Sequence, residues 1–236
     1  DYGLLAVGDG IATVASAYPM VAPRRGGRFD TVPPARFGDL AEGGLANFRL
    51  RTVLPRGHSL TSNLRDLPKA RTIAAGTVVT SVGAAVRDLA LVAGPGLQRT
   101  TVEQGGVVVR STHLARDRAA GRHLLRTAAG ALKLYEQRFG PYPYTELDLA
   151  EATLVGGAGG VEFSSMVLVA GMFYRKPSRS SNPLGVLTRM MGGLGRLLGG
   201  GLQGGGAGGG GGARRMDRMI RTMGEFVVAH EVAHQW

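Results

Sequence analysis

The chain has 236 residues, enough to bury a sizeable core as one large domain or two smaller ones. It contains no cysteine, which excludes disulfides, thiolate metal sites and a cysteine nucleophile, and no apolar run approaches the roughly eighteen residues of a membrane span. The net charge of +11 invites a polyanionic partner, but 25 Arg and 3 Lys are spread singly along the chain with no aromatic ladder for base stacking, so no nucleic-acid partner is expected.

Residues 1–113 read as an antiparallel β-sheet domain. Apolar and β-branched runs at Phe48–Leu54, Thr77–Val82, Val86–Ala93 and Val107–Leu114 are short and tend to alternate. Pro33-Pro34, Pro55-Arg56-Gly57 and Gly94-Pro95-Gly96 punctuate the region. His58 and His113 have no second ligand at helical or hairpin spacing, and they read as turn or strand-surface residues. From Asp117 the period changes. Leu124, Leu125, Ala128, Leu132 and Tyr135 recur at helical spacing with basic residues between them, which predicts an amphipathic helix to about Phe139. Gly140 ends it and Pro141 forbids a restart. His123, near the helix start, reads as solvated or capping, and Tyr142 and Tyr144 around Pro143 as a packing corner.

Leu147–Leu154 alternates as a strand, and the loop 156–160 leads into a single expected strand over 161–169. The loop is no phosphate cradle: it lacks Gly-Lys-Ser/Thr, and Glu162 stands where a dinucleotide fingerprint needs its third glycine. The glycines instead allow another backbone to come close. Residues 192–212 hold 14 Gly in 21 positions, so a flexible insertion is expected at about 178–215. Within it Leu184, Leu187, Met191, Leu194 and Leu198 form a stripe, read as a marginal helix on its own domain; membrane contact through 184–198 is the weaker reading. Thr222-x-x-Glu225 then forms a capping-box pattern, which predicts a helix starting near Thr222 with Glu225 as its cap.

That last helix carries the chemistry. In Val227-Val228-Ala229-His230-Glu231-Val232-Ala233-His234-Gln235-Trp236, the two histidines lie one turn apart on one face. Two imidazoles so placed can reach one zinc ion while Glu231 leans over the open position. Zinc lowers the pKa of a bound water to about 7, and a neighbouring carboxylate can take its proton and pass it to a leaving amine. Such a site needs three protein ligands, and this motif supplies two.

The closing motif, preceded by Gly159-Gly160-Val161-Glu162-Phe163 and by Tyr135-Glu136-Gln137-Arg138-Phe139-Gly140-Pro141-Tyr142-Pro143-Tyr144, resembles the M1 family of zinc aminopeptidases, gluzincins with a thermolysin-like catalytic domain. Tyr18-Pro19-Met20 also looks like that family's amino-terminal β domain. The resemblance covers most of the chain outside the insertion. It implies an α+β fold, with an amino-terminal antiparallel β domain over 1–113 and the first part of a thermolysin-like domain over 114–236. It further implies one zinc ion held by His230 and His234, Glu231 as general base, and peptide or protein amino termini as substrates. Gly159, Gly160 and Glu162 would bind the substrate, Glu162 holding its free amino end; a carboxylate at the cleft mouth pairs well with an ammonium. The third zinc ligand, a Glu, and a transition-state Tyr are expected beyond Trp236, in a longer protein. Where the family reads Gly-x-Met-Glu-Asn, this chain has Val161 and Phe163. That departure keeps open a noncatalytic binding scaffold on the same fold, and a zinc hydrolase of a non-peptide substrate is a third expectation.

Overall fold

The computed structural model describes residues 5–30, 44–68, 70–154, 158–175 and 211–236. In chain order its strands are β1 (Leu5–Gly8), β2 (Ile11–Ala15), β3 (Arg24–Arg25), β4 (Arg28–Phe29), β5 (Ala46–Leu54), β6 (His58–Ser62), β7 (Arg65–Asp66), β8 (Arg71–Ile73), β9 (Gly76–Val86), β10 (Ala90–Pro95), β11 (Leu97–Gln104) and β12 (Val107–Leu114). Helix α1 (Arg118–Phe139) follows, then β13 (Glu146–Ala152), β14 (Gly160–Phe163), β15 (Met166–Ala170) and helix α2 (Gly211–Ala233). The fold is α+β.

Three layers position the site. The first is an antiparallel sheet in the order β1-β2-β10-β6. The second is a mixed sheet in the order β11-β12-β13-β15-β14, in which β12 with β13 and β13 with β15 run parallel. The third is the helix pair. Strands in the middle of such a stack are buried on both faces: β15 is apolar on both, while β13 also carries Glu146 and Asp148, paired with Arg110, and Glu151, paired with Arg175. Leu147, Leu149, Val167 and Val169 point toward Leu124, Leu125 and Leu132 of α1 and Val228 and Val232 of α2. Ala150, Ala152, Met166 and Leu168 point the other way, onto Ile11, Ala15, Ala90 and Val92 of the first sheet. Each fully buried leucine here contributes about 1.5–3 kcal/mol of transfer free energy. A further antiparallel sheet, β5-β9-β7 with β8 on β9, packs Leu54 and Leu50 against Leu60 and Leu91.

The sequence-based elements hold where local signals set them. Helix α1 ends at Phe139, and Gly140, at φ 97°, takes the left-handed conformation that ends the helical run. Elsewhere distant contacts intervene. The expected strand Val86–Ala93 is broken, because the Asp88 carboxylate leaves the ladder to accept from Ser164 N at 3.1 Å and Asn63 Nδ2 at 3.3 Å. The expected strand 161–169 is a hairpin, β14 and β15, turning at Ser164-Ser165 with Ser165 at φ 59°. The chain changes sheet at Gly96, so β11 and β12 pair into the mixed sheet beside β13. The motif helix starts at Gly211, about three turns before Thr222. Glu225 is therefore mid-helix, and its Oε1 meets His123 Nε2 at 2.6 Å in place of a capping role. His123 is correspondingly a partner of α2. His113 is fully buried beneath α1, not at a strand surface, with Nδ1 3.0 Å from Leu114 O and Nε2 3.3 Å from Thr100 Oγ1. The stripe at 184–198 and most of the glycine-rich stretch lie outside the described residues.

Candidate metal centre

Helix α2 is seated by a narrow stripe. Gly224, Val228, Glu231, Val232 and Gln235 are buried, recurring at three and four residues, while His230 and His234 lie on the adjoining exposed face. The helix buries one side against α1 and β15 and leaves the imidazoles along the edge where β14 runs. His230 Nε2 and His234 Nε2 are 3.2 Å apart, and the ring centroids 4.8 Å. Two nitrogens each 2.0–2.1 Å from one tetrahedral zinc lie about 3.3–3.4 Å apart, so this pair fits a shared ion. Phe226 stacks on the His230 ring, with centroids 5.9 Å apart and planes at 27°, limiting the orientations that ring can take.

Two carboxylates lie beside the histidines. Glu162 Oε1 on β14 is 3.7 Å from His234 Nδ1, a charge contact rather than a hydrogen bond. Glu231, 7 % exposed, has its carboxylate in a group with Glu162 and His234 whose candidate ligand atoms all lie within 4.8 Å of one another. Burial, and then the charge and hydrogen bonding of Glu162, push the Glu231 carboxyl up to about 8. At neutral pH a carboxyl in that state carries a proton, and a cation placed nearby favours its release.

Gly160 sets how close the strand and helix come. A Cβ there would stand 2.6 Å from Glu231 Cγ and 2.8 Å from both Glu231 Oε1 and Val227 Cγ1. The glycine therefore admits a side chain, where a backbone was expected. Gly159 accepts a hydrogen bond from Ala170 N at 2.9 Å, and so helps anchor the start of β14 to the end of β15. The structure thus gathers His230, His234, Glu231, Glu162 and Gly160, with Gly159 next to them. His58, His113 and His123 are each bonded elsewhere.

Sequence reasoning missed Gln235. This side chain, 8 % exposed, donates from Nε2 to Phe163 O at 3.0 Å and accepts at Oε1 from Ser165 N at 2.9 Å and, more weakly, from Tyr142 Oη at 3.5 Å. It ties the β14–β15 turn, which holds Glu162 in place, to the residue directly after His234. Trp236 adds an anchor: its Nε1 donates to Gly140 O at 3.0 Å, and its ring meets those of Tyr135, Phe139 and Tyr142. The signal was present as Gln-Trp following the motif, but the hydrogen-bond partners are 70 to 96 positions away in the chain.

No protein-family model matches this chain, and no curated protein matches it.

Proposed function

We propose that this chain carries two nitrogen ligands and the general base of a zinc-dependent metallopeptidase similar to the M1 aminopeptidases, acting on amino-terminal peptide bonds. The observation that carries this reading is the 3.2 Å approach of the two Nε2 atoms, with the buried Glu231 carboxyl and the strand-borne Glu162 beside His234. His230 and His234 would hold the ion, which when bound lowers the pKa of a water to about 7 and polarises the scissile carbonyl. Glu231 takes a proton from the attacking water and returns it to the leaving amine, a role that suits a carboxyl whose pKa can be brought near working pH. Glu162, part-exposed on the neighbouring strand, pairs with the substrate's ammonium and so registers the scissile bond one residue from the chain end. Its neighbour Gly160 leaves room for Glu231 to sit against the strand.

A second reading has support of its own. The group of Glu162, Glu231 and His234 offers three donor atoms within 4.8 Å of one another, so the carboxylates could themselves be ligands of a harder ion. The experiment is to measure zinc stoichiometry and hydrolysis of an amino-terminal chromogenic amide by the full-length protein, with Glu231→Gln and Glu162→Gln variants. Full zinc occupancy and lost turnover in Glu231→Gln support the base assignment. Zinc loss in Glu162→Gln transfers that residue to the ligand set, and a metal-free, inert parent favours the noncatalytic scaffold.

A further inference from the structure

The sheet β5-β9-β7, with β8 on β9, has two unlike faces. On one, Leu50, Leu54 and Val79 pack toward Leu60 and Leu91. On the other, antiparallel pairing places directly opposed residues side by side, and three rows can be read from the register. The first is Arg49, Val82, Arg65; the third is Val53, Val78, Arg71. Between them Arg51 faces Thr80, and Leu67 continues β7 by donating its N–H to Thr80 O at 2.8 Å. The outer face therefore presents Arg49, Arg51, Arg65 and Arg71, all exposed, with Val53 45 % and Leu67 40 % exposed among them.

No carboxylate balances these guanidinium groups within the sheet. Asp66, the acidic residue of these strands, turns to the inner face and accepts from Ser81 Oγ at 2.6 Å. Among the described residues none of the four arginines reaches a carboxylate at ion-pair distance, although Arg65 stands near enough to Glu146 of β13 for its charge to help hold that carboxyl below its usual range. The arginines that look singly scattered in the sequence are gathered here by strand pairing, at the two-residue alternation that a sheet imposes.

We propose that this face docks on an anionic phospholipid surface. The guanidinium groups pair with headgroup phosphates, and the exposed Val53 and Leu67 rest at the acyl boundary between them. The mixture favours lipid over nucleic acid. A single strand of nucleic acid is held by stacking on aromatic rings, and among the described residues of this face there is none; Phe48, on β5, turns to the other side and packs edge-on against Tyr18 at 5.1 Å.

The test is co-sedimentation of the full-length protein with vesicles of phosphatidylcholine alone and of phosphatidylcholine with about one-third phosphatidylglycerol, at low and physiological salt. The expected result is partitioning to the anionic vesicles only, weakened by salt. Each arginine near such a surface is worth about fivefold, so Arg49→Gln/Arg51→Gln should weaken partitioning about 25-fold. Val53→Ser/Leu67→Ser should weaken it further at high salt, where the charge contribution is screened. The chain's overall +11 charge could attract the same vesicles, so a control variant, Arg118→Gln/Arg122→Gln on the exposed side of α1, removes equal charge elsewhere. Equal loss in both pairs, or equal binding to neutral vesicles, overturns the proposal. A single-stranded oligonucleotide that displaces the protein from vesicles at matched phosphate concentration overturns it as well and reassigns the face to nucleic acid.

Discussion

Gln235 tests whether the candidate centre is held by distant contacts or by the motif helix alone. Its two strong hydrogen bonds, to Phe163 O at 3.0 Å and from Ser165 N at 2.9 Å, join the helix terminus to the β14–β15 turn. Gln235→Met keeps the length and most of the volume while removing both. Phe163 is 6 % exposed, so its carbonyl loses its side-chain partner in a place water reaches poorly. An unsatisfied buried group costs about 1–3 kcal/mol, and the half-exposed Ser165 N–H, which water can serve, adds at most about 1 kcal/mol. The expected loss is therefore about 1–4 kcal/mol, read as a fall in urea midpoint with unchanged slope. Zinc affinity should fall with it by roughly 10–100-fold, the usual effect of losing an outer-shell support. Gln235→Glu keeps the acceptor for Ser165 N but sets a buried carboxylate oxygen against Phe163 O, so it should cost at least as much as the Met variant at neutral pH. A Met variant within about 0.5 kcal/mol of the parent, with unaltered zinc affinity, would refute the claim that this residue couples Glu162 to the histidines.

Other outcomes follow from the same geometry. His230→Ala and His234→Ala should each abolish stoichiometric zinc binding, measured by metal analysis after dialysis, while leaving the far-UV spectrum intact because both rings are exposed. Gly160→Ala should destabilise by about 1–3 kcal/mol in urea titrations, since the new Cβ meets Glu231 Cγ at 2.6 Å and the helix or strand must shift. Glu231→Gln should retain zinc and lower amide hydrolysis by about 100- to 10,000-fold, the contribution of a positioned base. The same variant should alter the pH dependence of metal-free stability. Burial and Glu162 raise the Glu231 pKa to about 8, so its contribution is full below the unfolded value near 4.5 and is lost as pH rises through 8. The parent should weaken relative to Glu231→Gln as pH rises across that window, and parallel pH profiles would contradict the assignment.

Elements governed by neighbours in the chain were readable without coordinates. Helix α1 is an example: its apolar spacing, the Gly140 stop and Pro141 all act within a few residues. The two histidines one turn apart are another, because the pitch of a helix alone brings their rings together. What failed depended on distant partners. The turn at Ser164-Ser165 is held by Asp88 and Gln235, each at least 70 positions away, so an apolar run that reads as one strand becomes two. His113 looks like a surface residue until Gly121, which carries no side chain, lets α1 close over its ring. Glu225 matches a capping box, yet the helix extends through Asp217–Arg221 ahead of it and gives its carboxylate to His123. The four-arginine face escaped notice for the same reason, since pairing across β5, β7, β8 and β9 sets its rows.

The juxtaposition of Glu231 and Glu162 bears on what the proposed metal ion would do at this place. Two carboxylates this close cannot both ionise without mutual repulsion in a partly desolvated setting, and the raised pKa of Glu231 expresses that conflict. Hydrophobic packing of Val228 and Val232 holds the helix in register regardless, so the fold imposes the conflict rather than relaxing it. On the proposed reading, a cation shared by the histidines would relieve the repulsion and free the Glu231 proton, and a substrate's ammonium would relieve it from the Glu162 side. Metal and amine should therefore bind cooperatively, each lowering the cost of ionising the pair for the other. Titration of a simple amino-acid amide into metal-free and zinc-loaded protein checks this directly, and equal affinities in the two states would remove the electrostatic link between Glu162 and the histidine pair.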